Sequence, residues 1–270
     1  MLQDHELRLV TQSQTPGDCA SLVDAIGDTP VSTIPLHYLL RGWATAYVAG
    51  PPATFAAAIV QSLLDPGEPA GFGANATAMW GLLRRMTGWA CVNVEKDVAP
   101  ALGTHIEAET HIPVRYYGDV QLLLQRPVVP FRNEAVRLLT LEDVALVEAA
   151  PRELRGGGWP TTRQMLEEGV ASGAIMDGRL VAIAFTSALT PKHADIGINT
   201  SAGWRGRGFA TAAASLVARQ IQQAGLRPVW STGEDNWASL RVAQKLGFTE
   251  VARRMYVIPA ATPQPTGTSA

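Results

Sequence analysis

The fold is decided by one stretch, Asp195-Ile-Gly-Ile-Asn-Thr-Ser-Ala-Gly-Trp-Arg205-Gly-Arg-Gly-Phe-Ala-Thr211. An apolar strand pattern leads into a glycine-rich turn, and a long amphipathic helix pattern follows over residues 206–224. Glycine lets the backbone approach a ligand closely, because no Cβ intervenes. The first amides of the next helix point N–H groups without helical partners at the same place. Arg205 and Arg207 add charge suited to a polyanion. This order predicts a cradle for a phosphate-bearing cofactor.

Working outward, residues 136–140 read as a strand and 141–150 as a short helix. Gly156-Gly157-Gly158-Trp159-Pro160 is a loop, and 161–169 is a second helix. Residues 173–176 begin a hairpin whose Asp177-Gly178 turn is a strong signal. Strands follow at 180–187 and 193–200. Downstream of the long helix, which Gly225 ends, come a strand at 228–232, a helix at 236–246 and a last strand at 248–258. Upstream, residues 1–125 form a mixed α/β lobe. A short helix is expected at 18–26, a strand at 44–48, a helix from Pro52 to about residue 64, and a helix at 75–86. A strand at 89–94, a helix at 97–109 and one long strand or two short ones at 114–124 complete it. Pro127 and Pro130 mark 126–134 as the domain boundary, which makes 135–258 the second domain. The tail at 259–270 is rich in Pro, Thr and Ser and is expected to be disordered. No internal sequence repeat is visible.

Composition narrows the function classes. A chain of 270 residues permits one large domain or two small ones. It is 47% hydrophobic and 17% charged, enough to bury a core. A net charge of −2 and a pI near 6.2 argue against a nucleic-acid partner, which requires a basic face. No apolar run is long enough for a membrane span, and residues 1–6 carry no basic segment followed by an apolar core. Cys19 and Cys91 are too few for a disulfide framework and read as packing residues. A cytoplasmic protein is expected. The histidines, His193 among them, lack metal-ligand spacing, so no metal is expected. Gly71-Phe-Gly-Ala-Asn-Ala76 superficially fits a dinucleotide fingerprint, but Pro66 and Pro69 precede it, and it reads as a loop leading into a helix.

Three features together resemble the GCN5-related N-acetyltransferase (GNAT) superfamily. Arg205-Gly-Arg-Gly-Phe-Ala210 is similar to its Gln/Arg-x-x-Gly-x-Gly/Ala loop, and the loop lies between strand and helix as in that family. Asn236-Trp-Ala-Ser-Leu-Arg-Val-Ala-Gln-Lys-Leu-Gly-Phe248 follows the outline of the family's Asn-x-x-Ala-x-x-Leu-Tyr-x-Lys-x-Gly-Phe helix. The resemblance covers residues 134–258. It implies a mixed α/β (α+β) fold with a central sheet whose parallel strands splay, plus a smaller N-terminal lobe like the degenerate companion of two-lobed bacterial members.

The resemblance also implies a co-substrate and site residues. Acetyl-CoA would insert its pantetheine arm between the strands at 195–200 and 228–232. Amides of Ile198, Asn199 and Thr200 would bond the pantetheine amide and the thioester carbonyl, where they would stabilise a developing oxyanion. Arg205, Gly206, Arg207, Gly208, Phe209, Ala210 and Thr211 would hold the pyrophosphate. Asn236 would meet the pantetheine from the other side, and Arg241 or Lys245 would reach the adenosine end. An amine with a free pKa of about 10 must lose a proton before it attacks. Asp195 stands where many members carry a glutamate, which makes it the candidate base; a strand cap or an arginine partner is its plain alternative.

One departure matters. The family often has a tyrosine on the last helix to protonate the leaving thiolate, and here that position is Ala243. Ser239, Tyr256 or a water would replace it, or the thiolate leaves unassisted. Trp159, Trp230 and Glu234 are the candidate acceptor-binding residues. Trp230, on an apolar strand, reads rather as partly core, and Glu234 with Asp235 as acids favoured near a helix N-terminus. A primary amine on a small molecule is the expected acceptor. Overall likeness to two-lobed relatives suggests aminoglycosides such as kasugamycin, and hence antibiotic resistance; amino acids and polyamines stay open. Two other readings stand beside this one: a non-catalytic acyl-CoA-binding module, and an N-terminal lobe that drives homodimerisation.

Overall fold

A computed structural model describes residues 7–260. The part of the expected disordered tail at 261–270 lies outside them. The described residues form two compact units, one made of 7–119 with 253–260, the other of 120–252.

The first half of the chain runs β1 (Leu7–Val10), α1 (Pro16–Ile26), α2 (Thr33–Leu40), β2 (Ala44–Ala49), β3 (Ala57–Ser62), β4 (Ala70–Phe72), α3 (Ala76–Leu83), β5 (Val92–Glu95), α4 (Ala99–Thr110) and β6 (Val114–Leu123). The second half runs β7 (Val136–Leu138), α5 (Val144–Glu148), α6 (Thr162–Glu168), β8 (Ala171–Met176), β9 (Arg179–Leu189), β10 (His193–Thr200), α7 (Phe209–Gln223), β11 (Arg227–Gly233), α8 (Trp237–Leu246) and β12 (Thr249–Pro259). Leaving aside short 3-10 turns, both halves have the same order, β-α-α-β-β-β-α-β-α-β. The fold repeats although the sequence shows no repeat.

Each unit takes its sixth strand from the other half. The first unit orders its strands β1-β2-β3-β4-β5-β12, and the second β7-β8-β9-β10-β11-β6. The described ladders of both are antiparallel apart from one parallel pair in each, β4 with β5 and β10 with β11. Helices cover both faces of the first sheet. Met79 and Leu83 of α3 and Leu102 and Ile106 of α4 pack on Val92, Val94 and Val257. On the opposite face Leu22 of α1 and Leu36 and Leu39 of α2 meet Val48, Val60 and Phe72.

The long helix of the second unit explains itself. Its Ala-rich sequence has high helix propensity, and Ala213, Val217 and Ile221 recur every four residues along the face turned to the sheet. Burying Val217 and Ile221 contributes about 1.5–3 kcal/mol each. The helix starts at Phe209 and not at 206, because Gly206 and Gly208 hold φ of 77° and 80°, outside the helical region.

Three sequence expectations change. The helix from Pro52 to about residue 64 is a single 3-10 turn at Pro52–Thr54 followed by strand β3. Ile59 and Val60 are buried on opposite faces of a covered sheet, and that tertiary environment overrides the alanine content. The segment 126–134 is irregular, as its prolines require, yet it is pinned to α7. Ser215 Oγ accepts from Phe131 N at 3.0 Å and donates to the Val129 carbonyl, while Gln222 bonds Val128 N and the Arg126 carbonyl. The division between units falls instead within β6, after residue 119, and again within β12, after 252, because those two strands are exchanged. Gly71 lies on strand β4, and the loop into α3 begins at Gly73.

Ser215→Ala removes the bonding partner of the part-buried Phe131 N–H and of the Val129 carbonyl. Unfolding in urea should show a loss of about 0.5–1.5 kcal/mol, with faster amide exchange at 128–131.

Candidate active site

The site grows from the parallel pair of the second unit. β10 and β11 are in register for three residues, ending at Asp195 opposite Val229. Beyond that point Ile196–Thr200 keeps its antiparallel bonds to β9 but has no ladder to β11. The two strands part at Asp195. On the other side of β10, β9 carries a bulge at the same level: Asp195 is opposite Ala188 and Ile196 opposite Thr186, so Ser187 is the extra residue.

The bulge is buttressed by the triple-glycine loop. Gly158, at φ 84°, lies so close to the Ser187 carbonyl that any Cβ there would collide with it, and the Trp159 indole donates to the Thr186 carbonyl at 2.7 Å. Trp159 is only 9% exposed. It braces the bulge and does not line the cleft described below.

A cleft of about 750 Å³ opens within the second unit. Ile198, Asn199 and Thr200 of β10 form one wall. The turn from Arg205 to Gly208 and the start of α7 through Thr211 form the second, and Asn236, Ser239, Arg241 and Lys245 of α8 the third. All of the residues expected from sequence to hold the cofactor therefore line one space. The N-terminus of α7 is open toward a ligand: its N-cap Gly208 supplies no side-chain hydrogen bond, and a Cβ at Gly206 or Gly208 would meet nothing within 4 Å. The Arg207 guanidinium stacks 4.6 Å above the Trp204 ring, and Arg205 Nε donates to the Thr200 carbonyl. Both arginines are thereby held at the turn. The donor set of helical amides and four cations fits a polyanionic nucleotide.

Asp195 is not on the cleft wall. It is 3% exposed, and each carboxylate oxygen accepts a serine hydroxyl, Oδ1 from Ser231 at 3.0 Å and Oδ2 from Ser187. Burial raises its pKa to about 6, against the opposing pull of those two hydroxyls and of a backbone bond at Ser231. Both serines are half-buried and connect the carboxylate to less enclosed surroundings. Sequence reasoning missed them, since an isolated serine carries no signal until the register places it. Glu153, in a 3-10 turn at Arg152–Leu154, was missed for the same reason; it is the one acid among the lining residues.

The other candidates divide clearly. Ser239 lines the cleft, and its Oγ accepts the Trp230 indole N–H at 2.8 Å, which leaves the serine proton for another acceptor. Trp230 is 1% exposed, packs edge-on to Phe248 and belongs to the core. Glu234 is exposed, two residues before the α8 N-cap Asn236, and does not line the cleft. Asn236 Oδ1 caps Ser239 N, so the amide N–H groups are what Asn236 can offer a ligand. Ala243 is buried in the core. Tyr256 belongs to the first unit, where burial holds its phenol well above the usual value. Cys19 and Cys91 are both buried, and burial pushes the Cys91 thiol up to about 12. Among the described residues, no His, Cys, Asp and Glu side chains gather in a group of three or more that could hold a metal, and no helix is long and apolar enough to cross a membrane.

Splayed parallel strands, a glycine turn and an uncapped helix around one cationic cleft define an acyl-CoA-type transferase fold. The GNAT acetyltransferase family model matches residues 143–256. Residues 143–256 are thus similar to the GNAT acetyltransferases. The chain is similar to a GCN5-related N-acetyltransferase-like protein from Streptococcus suis, at 20% identity over 90% of this chain and 99% of that one, with a TM-score of 0.67. A GNAT-family protein from Novosphingobium aromaticivorans is 22% identical over 85% and 97%, at 0.58. A tandem GNAT protein of the clavulanic acid biosynthesis pathway is 14% identical over 96% and 100%, at 0.56. At these identities the solved structures speak for the fold. No curated protein sequence matches.

Asp195 also makes a stability prediction. A carboxyl whose folded pKa is raised contributes most below its unfolded value near 4, and the contribution is lost as pH rises through about 6. At pH 8 the buried charge is a burden. Asp195→Asn should therefore stabilise the protein at pH 8 by roughly 1–3 kcal/mol and give no gain at pH 4, as read by denaturant unfolding at the two pH values.

Proposed function

We propose that this chain is an acetyl-CoA-dependent N-acetyltransferase that modifies a primary amine of a small molecule by direct attack, without a covalent enzyme intermediate. The observation that carries the reading is the coincidence, in one cleft, of the strand split after Asp195 with the open N-terminus of α7. Acetyl-CoA supplies the activated thioester; the chain's residues bind, orient and handle protons. Backbone N–H groups at 198–200 and at the start of α7 are donors for the amide and pyrophosphate portions. Asp195 takes the proton of the ammonium through the Ser231 hydroxyl or a water, because the carboxylate itself is enclosed. Ser239 takes the place of the tyrosine missing at 243, since its oxygen is already bonded by Trp230 and its proton points elsewhere.

Charge favours a cationic acceptor. Arg205, Arg207, Arg241 and Lys245 suit the phosphates, and Glu153 is the lining carboxylate left to meet an ammonium. Aminoglycosides, polyamines and amino acids are the acceptor classes to test. The enclosed Asp195 and the core alanine at 243 also favour a second reading, a module that binds acyl-CoA without turnover.

Thiol release from acetyl-CoA, measured against a panel of these amines and a few peptides, separates the two. Release with one class is expected, on an acid limb near pH 6, and Asp195→Asn should lower kcat by about 10²–10⁴-fold with acetyl-CoA affinity unchanged. Tight acetyl-CoA binding without release across the panel would favour the binding module. Replacing Arg241 and Lys245 by Ala should weaken CoA binding about tenfold or more and weaken dephospho-CoA much less; equal losses would place the 3′-phosphate elsewhere.

A further inference from the structure

The first unit contains the same strand–turn–helix arrangement, and it differs from the second wherever a ligand would touch it. β4 and β5 form the parallel pair, in register at Ala70 opposite Asn93, and part beyond that point. The place between the parted strands is taken by a side chain. Arg254 of β12 is 3% exposed. Its Nη2 donates to the Gly71 carbonyl of β4 and, at 2.9 Å, to the Asn93 carbonyl of β5, while Nε donates to Asn93 Oδ1. Nη1 lies 3.5 Å from Glu95, and the guanidinium sits 4.9 Å above the Phe72 ring. The planar fork of donors thus bridges the two strand edges that the split leaves unpaired.

Two further differences point the same way. The helix after the split, α3, begins with Asn75 as N-cap, whose Oδ1 accepts from Ala78 N at 2.9 Å. Its counterpart α7 has glycine there and no such bond. A Cβ at Gly73, in the turn before α3, would stand 2.8 Å from the Ala56 carbonyl oxygen, so that turn is closed against the chain, whereas at Gly206 and Gly208 in the turn before α7 there is open space.

We infer that the N-terminal lobe is a second copy of the acyl-CoA fold whose cofactor groove is filled by the Arg254 guanidinium, so that the chain takes up one acyl-CoA, in its C-terminal lobe alone. A ligand entering the first groove would have to displace a buried cation from four polar partners and leave those groups unpaired, which is unfavourable before any contact is gained. The inference rests on the proposed reading of the second unit's cleft, and the test keeps the two apart.

The test is calorimetric titration of the full chain with acetyl-CoA, combined with amide exchange read by mass spectrometry. The expected result is one equivalent bound, protection at 196–211 with none at 70–78, and loss of binding in Gly208→Val. Two equivalents, or protection at 70–78 in wild type or in Gly208→Val, would overturn the inference. An absence of binding in wild type would overturn the reading of the second cleft and agree with a closed first groove. Arg254→Ala is a poorer probe, since it strands buried polar groups and can simply unfold.

Discussion

The parting of two parallel strands is the constraint on which the second unit depends. A parallel ladder satisfies every backbone group only while it continues. Ending it after Asp195 and Val229 leaves strand edges inside the protein with donors and acceptors to be met. An extended ligand with amides of its own is the natural partner for such edges. The glycine turn and the open end of α7 place anion-binding groups at one end of the same cleft, and α8 lines its other side.

Asp195 stands at the point of divergence, and its surroundings hold two requirements in tension. In the proposed reaction it must be enclosed to raise its pKa toward neutrality, yet a proton must reach it. The bulge at Ser187 and the first residues of β11 past the ladder solve both, because each delivers a hydroxyl to a different carboxylate oxygen from a half-buried position. The Gly158 backbone and the Trp159 indole hold the bulge in place. What looks in sequence like an acceptor-binding loop also supports the bulge beside the strand that carries Asp195.

The two halves of the chain show the same problem solved twice. In one, the split is left open and bordered by glycines. In the other, the protein supplies its own donors from Arg254 and its own cap from Asn75. Unpaired strand edges are too costly to leave dry and empty, so a groove without a ligand must be filled from within. The exchange of β6 and β12 makes this possible, since Arg254 reaches β4 and β5 from the last strand of the chain.

Much of the second unit was legible in sequence because its signals are local. The Asp177-Gly178 turn has both residues at positive φ, β10 spans the expected residues, and the glycines at 206 and 208 mark the cradle through backbone freedom alone. Helix caps at Asn236 and Gly247 are equally local. The sequence by itself determined the order of elements there, the chemistry of the turn and the identity of the residues lining the cleft. Only the tertiary structure decided that Trp159 and Trp230 are buried supports, that Ser187 and Ser231 hold Asp195, that the last strands are exchanged, and that Arg254 fills the first groove. These depend on contacts between residues far apart in the chain, such as Arg254 with Gly71, 183 positions away. No periodicity or motif encodes a strand's partner, because register is set by packing and hydrogen-bond satisfaction across the whole sheet.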